Sequence, residues 1–125
     1  MHSWNYLNDI PFIPVRLFGK NLSVASLALV DTGAKYCVIH EKLAKTLKLE
    51  VTGQESLRGF GGRKAFKVNL TTTNVEIGGI RENVVFAAIK EEHFPTVAPK
   101  IVLGRNLLNK FKLTLDGRNK KIHLE

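Results

Sequence analysis

The stretch Ala28-Leu29-Val30-Asp31-Thr32-Gly33-Ala34 is an apolar run that ends on a single carboxylate and a corner of small residues, before Val38-Ile39 resumes the apolar pattern. A carboxylate in such a setting has to be hydrogen-bonded, paired or put to chemical use, because burying a bare charge costs several kcal/mol or more. Thr32 supplies a hydroxyl beside it that can both donate and accept. Gly33 lets the backbone bend and lets a peptide group come close to the acid. Two readings of Asp31 are open on these residues: a turn-forming Asp at a strand end, and a functional acid.

Seventy residues downstream the pattern returns as Lys100-Ile101-Val102-Leu103-Gly104-Arg105-Asn106-Leu107-Leu108, a short apolar strand broken at Gly and followed by a helical turn. Together the two stretches resemble the retroviral-type, or retropepsin-like, aspartic proteases. The resemblance rests on Leu29-Val30-Asp31-Thr32-Gly33-Ala34 early and Val102-Leu103-Gly104-Arg105-Asn106-Leu107-Leu108 late, with the Gly-rich Gly59-Phe60-Gly61-Gly62 between them. It implies an all-β fold: a closed pepsin-like β-barrel with one or two short helices, one lobe per chain. It also implies the roles of the site residues. Asp31, Thr32 and Gly33 would be catalytic, with Gly33 holding Asp31 by a backbone contact and Thr32 bonding across to a second chain. Ala34, Gly59, Phe60, Gly61 and Gly62 would bind substrate, the Gly-rich tip as a flap. Leu103, Gly104 and Arg105 would support the site from beneath.

A chain of 125 residues is read as one domain, 1–125, with residues 1–9 as an N-terminal arm anchored by Trp4 and Tyr6. It holds one Asp-Thr-Gly, whereas aspartic protease chemistry needs two carboxyls, so the resemblance implies a homodimer acting on a peptide or protein substrate. Two other classes stay open. One is a catalytically idle dimer of the same fold that binds peptides. The other is a basic module for nucleic acid, since 19 Lys and Arg against 11 Asp and Glu give a net charge of +8. These cations are scattered, and no nucleic-acid motif accompanies them, so a solvated surface is favoured. A plain β-turn is the rival reading of the Gly-rich tip. A phosphate cradle is disfavoured, because no helix start with Lys-Ser/Thr follows it.

Cys37 is the only cysteine, which excludes an intrachain disulfide and reads as a small core residue. The histidines His2, His40, His93 and His123 lack metal-ligand spacing, so neither metal nor cofactor is expected. No signal-like leader is evident, and the longest apolar run is far too short to cross a bilayer, so a soluble, cytoplasmic protein without membrane contact is expected.

In chain order, Ile10–Phe18 reads as an edge strand because of its prolines, and Leu22–Val30 as its hairpin partner. His40–Leu49 switches to helical period, with Leu43, Ala44 and Leu47 on one face. Hairpins are expected over Glu55–Leu70, across Gly78-Gly79, and at the end of the chain around Asp116-Gly117. One departure from the family pattern stands out. Lys35 occupies the position where retroviral members carry an acid for the Gly-Arg arginine. Arg105 therefore needs another partner, with Asp9 and Glu41 as candidates.

Overall fold

The computed structural model describes residues 1–58, 65–94 and 99–125. Its strands are β1 (His2–Asn5), β2 (Phe12–Phe18), β3 (Ser23–Val30), β4 (Cys37–His40), β5 (Val51–Arg58), β6 (Ala65–Ile77), β7 (Ile80–Ile89), β8 (Ile101–Leu103), β9 (Leu113–Asp116) and β10 (Lys121–Leu124). The helices α1 (Glu41–Thr46) and α2 (Arg105–Leu108) are short. The main sheet runs β2-β3-β8-β4-β7-β6-β5, and β2 also pairs with β6, which closes six strands into a barrel with β5 hanging from β6. The all-β barrel expected from the sequence is the fold of the chain.

Strand alternation fills the barrel. Ile13, Val15 and Leu17 of β2 point inward, as do Ala28 and Val30 of β3, Val75 and Ile77 of β6, and Val84 and Phe86 of β7. Burying a side chain the size of Phe86 contributes about 1.5–3 kcal/mol relative to exposure. Helix α1 adds Leu43 and Ala44 to the same core, with Leu47 just past its end, while Lys42 and Lys45 face solvent, as the helical period predicts. His40 caps it, Nδ1 accepting from the Lys42 amide at 3.1 Å.

The structure corrects the sequence reading in three places. Strand β2 is not an edge: β3 flanks one side and β6 the other. The β2–β6 register runs only from Arg16 to Phe18, so the missing N–H of Pro14 leaves no bond to β6 unmade. Residues 1–9, read as an arm, carry β1, which pairs antiparallel with β10, and Trp4 and Tyr6 pack against the core. The chain then reverses tightly at Asn8-Asp9, both at positive φ, with Leu7 and Ile10 exchanging backbone bonds of 3.0 and 2.9 Å. The last hairpin does not turn at Asp116-Gly117 alone. Asp116 pairs with Lys121, the loop spans 117–120, and the Asp116 carboxylate accepts from the Asn119 amide at 3.0 Å and its Nδ2 at 2.8 Å. The left-handed position in this loop belongs to Lys120 rather than to Gly117.

Candidate active site

Strand β8 lies between β3, to which it is parallel, and β4, to which it is antiparallel, so residues 31–36 must bridge over its C-terminal end. That geometry puts Asp31 directly against the residues that follow β8. The Asp31 amide donates to the Leu103 carbonyl at 3.0 Å. Arg105 N donates to Ala34 O at 2.8 Å, and Asn106 N to Lys35 O at 3.2 Å. The bridging loop also closes on itself, with Ala34 N on Asp31 O at 3.2 Å.

The Gly33 amide donates to Asp31 Oδ1 at 3.0 Å, which fixes the carboxylate's rotation. Gly33 does not take a left-handed backbone here. It matters because a Cβ at that position would stand 3.3 Å from Asp31 Oδ1. Gly104 is required more strongly: a Cβ there would meet Tyr36 O at 2.3 Å and Ala34 O at 2.9 Å. Its amide donates to Cys37 Sγ at 3.3 Å. Burial pushes the Cys37 thiol up to about 11, so it stays protonated and inert near neutrality.

Arg105 bonds neither Asp9 nor Glu41, its two expected partners. Its Nη1 donates to the Thr32 carbonyl at 3.0 Å, so the guanidinium holds the Asp-Thr-Gly corner by its backbone. Asp9 pairs with Lys120 and Glu41 with Lys45. Lys35, which stands where the family pattern has an acid, pairs with Glu55 at 3.3 Å. The Tyr36 hydroxyl bonds the same carboxylate, and both contacts hold Glu55 below its usual range. The loop after Asp31 is thereby tied to strand β5.

Sequence reasoning missed Asn106 as a supporting residue. Its Oδ1 accepts from Cys37 N at 2.8 Å and its Nδ2 donates to Val85 O at 2.8 Å, so one amide joins the start of β4, where the Asp31 loop ends, to β7. Leaving such partly buried groups unpaired would cost roughly 1–3 kcal/mol.

An apolar wall, also unanticipated, adjoins Asp31 on the outer face of the barrel. Leu29 pairs with Val102, Val102 with Val38, Val38 with Ala87, and Ala87 with Leu70, forming one row across five strands. Tyr36, Leu57, Phe66 and Phe94 pack on the same cluster. Asp31 lies two residues beyond Leu29, at the end of this row. A groove of about 350 Å³ near His93, lined by Glu41 and Lys90 and sharing Phe66 with this cluster, does not include the Asp31 loop. Gly59, Phe60, Gly61 and Gly62 lie outside the described residues; β5 and β6, on either side of them in sequence, pair antiparallel up to Arg58 and Ala65. Among the described residues no group of three His, Cys, Asp or Glu side chains gathers, and no helix is long and apolar enough to cross a membrane.

A family model described as "gag-polyprotein putative aspartyl protease" matches residues 22–110, which include both Asp31 and the Gly104-Arg105 latch. The chain belongs to that family. Solved structures of similar fold include a retropepsin-like aspartic protease from Rickettsia conorii, at 21% identity and a TM-score of 0.63, covering 98% of this chain and 88% of that one. The retroviral protease-like domain of Ddi1 from Leishmania major matches at 15% identity and a TM-score of 0.59, covering 93% and 88%. The EIAV protease complexed with the inhibitor HBY-793 matches at 23% identity and a TM-score of 0.55, covering 83% and 89%. No curated protein sequence matches the chain. At these identities the structural likenesses establish the fold, and membership of the aspartyl protease family comes from the sequence match.

Proposed function

We propose that the chain is an aspartic endopeptidase active as a homodimer, residues 1–125 acting as one domain and each copy contributing Asp31. The observation that carries this reading is the Asp31 loop itself. A protease family's Asp-Thr-Gly corner is held rigidly by Gly33, Leu103, Arg105 and Asn106, yet only one such corner exists per chain. Rigid support of an acid by backbone amides is what positioned catalysis requires.

The chemistry follows from pairing two such carboxyls. Two acids about 3 Å apart do not both ionise, a property of aspartic protease dyads as a class, so they share one proton. One Asp31 takes a proton from water as the water attacks the peptide carbonyl. The other donates to the carbonyl oxygen, and the protons then pass to the leaving amine. Thr32 bonds across the two copies, and Ala34 leaves room for the substrate backbone. The peptide lies extended past Asp31, beside the half-buried Leu29 at the end of the apolar row. The hairpin carrying Gly59, Phe60, Gly61 and Gly62 closes over it as a flap.

Purified protein is expected to cleave an unfolded protein substrate fastest at acidic pH, and a statine-type transition-state analogue should block cleavage. Absence of cleavage, with the analogue still binding at Asp31, would replace this reading with that of an idle peptide-binding dimer.

A further inference from the structure

Strand β5 is the outer strand of the large sheet: among the described residues it pairs with β6 alone. Strand β6 in turn pairs with β7 only from Asn69 onward, so Glu55–Arg58 and Ala65–Val68 leave the sheet as a two-stranded ribbon. Such a ribbon is marginally stable by itself and takes its position from side-chain contacts. The pair Glu55 and Val68 is the first one past the end of the β6–β7 ladder, at the root of the ribbon. Along β5, Gln54, Ser56 and Arg58 are exposed, while Gly53, Glu55 and Leu57 are half-buried on the other face. An acid is out of place there: Leu57 packs in the apolar cluster with Tyr36, and Val68, across from Glu55, is 4% exposed. A carboxylate so placed has to find donors. Lys67 of β6 is not one of them, because it lies opposite Ser56 and so on the opposite face. Glu55 turns instead to Lys35 and to the Tyr36 hydroxyl, the fourth and fifth residues after Asp31. The Lys35 ammonium also lies 5.1 Å from the centre of the Tyr36 ring, so the two donors support each other.

We propose that Glu55 is a positioning residue of the peptide site: through Lys35 and Tyr36 it fixes how far the β5–β6 ribbon stands from the Asp31 loop. The proposal rests on the protease reading above, in which an extended peptide passes between that loop and the hairpin. It adds a residue that touches no reacting atom and sets the width of the passage. Backbone pairing does not set that width, because the ribbon has no third strand beside it at this point. The tie is an exposed one, with side-chain exposures of 65% for Lys35 and 31% for Glu55, so it holds weakly and lets a peptide enter and leave.

Charge exchange tests this. Glu55→Lys and Lys35→Glu each set like charges face to face, and each is expected to raise KM for one peptide about two- to fivefold or more. Turnover number should stay near wild type, because the lost contact supports binding and not the reacting atoms. Both changes in one chain restore an opposite pair and should bring KM back. Hydrogen exchange over residues 51–58 and 65–68, measured without substrate, should quicken in each single variant and recover in the double. Exchange at the wild-type rate in both single variants would overturn the tie, whatever the protein cleaves. Faster exchange that the double variant fails to reverse would overturn the pairing of Lys35 with Glu55. Exchange that behaves as expected with an unmoved KM would leave the tie a stiffener of the ribbon and overturn its positioning role. If wild-type protein cleaves nothing, the affinity of a statine-type analogue replaces KM. Weaker binding in the single variants, restored in the double, would then uphold the positioning role and count against the protease reading alone, and unchanged affinity would overturn the role.

Discussion

Asp31→Asn is expected to lower turnover by at least about 10²–10⁴-fold, the scale of losing a positioned general acid and base. The substitution is informative because the side-chain amide nearly matches the carboxyl in shape. Its oxygen can still accept from the Gly33 amide that now holds Asp31 Oδ1 at 3.0 Å, so the corner keeps its conformation. Fold and dimer should survive or strengthen slightly, since two amides facing one another carry no like-charge repulsion as pH rises. If Asp31 only caps a turn, asparagine would replace it almost silently and cleavage would persist at the wild-type rate. Comparing turnover with melting temperature for the purified variant separates the two.

Gly104→Ala is expected to have the largest effect on stability. The added Cβ would stand 2.3 Å from Tyr36 O and 2.9 Å from Ala34 O, and both are backbone atoms of the loop that carries Asp31. Neither can move without breaking the Arg105 N to Ala34 O bond or the fit of Cys37 beneath. Overpacking of this kind costs about 3 kcal/mol or more, which for a domain of this size lowers Tm by roughly 10 °C or more. Gly33→Ala makes a useful contrast. Its nearest contact is 3.3 Å to a carboxylate oxygen, so it should melt close to wild type while losing activity, because the atom that must yield is Asp31 Oδ1 itself. Thermal unfolding of both variants, followed by turnover on one peptide, would reveal the split. A Gly104→Ala protein of wild-type Tm would show that the loop is not clamped as described.

The residues around Asp31 were legible from sequence because the constraint there is local. A strand ending on Asp-Thr-Gly, and another ending on Gly-Arg-Asn, announce two corners, and small residues at both announce a close approach. What was not legible depended on partners far away in the chain. Whether His2–Asn5 becomes a strand depends on β10 lying alongside, 120 residues later, and its composition carries no strand signal. Pro14 suggested an edge, yet a strand can be flanked on both sides when one neighbour's register stops short of the proline. Arg105 was sought among acids because charge suggests charge. A guanidinium is equally served by a carbonyl, and that of Thr32 was nearer. Lys35 looked like a defect in the family pattern until Glu55, on a different hairpin, was seen opposite it. Asn106 was quoted as part of a motif, but its two backbone contacts could only be seen in three dimensions.

The central claim is that one active unit needs Asp31 from two chains, and mixing tests it most directly. Wild-type protein would be combined with increasing proportions of Asp31→Asn chain at fixed total concentration, allowed to exchange subunits, and assayed on a single peptide. If the site is shared, every mixed dimer is dead and activity falls as the square of the wild-type fraction. A fall in simple proportion to the wild-type fraction would mean that each chain works alone, and would contradict the account.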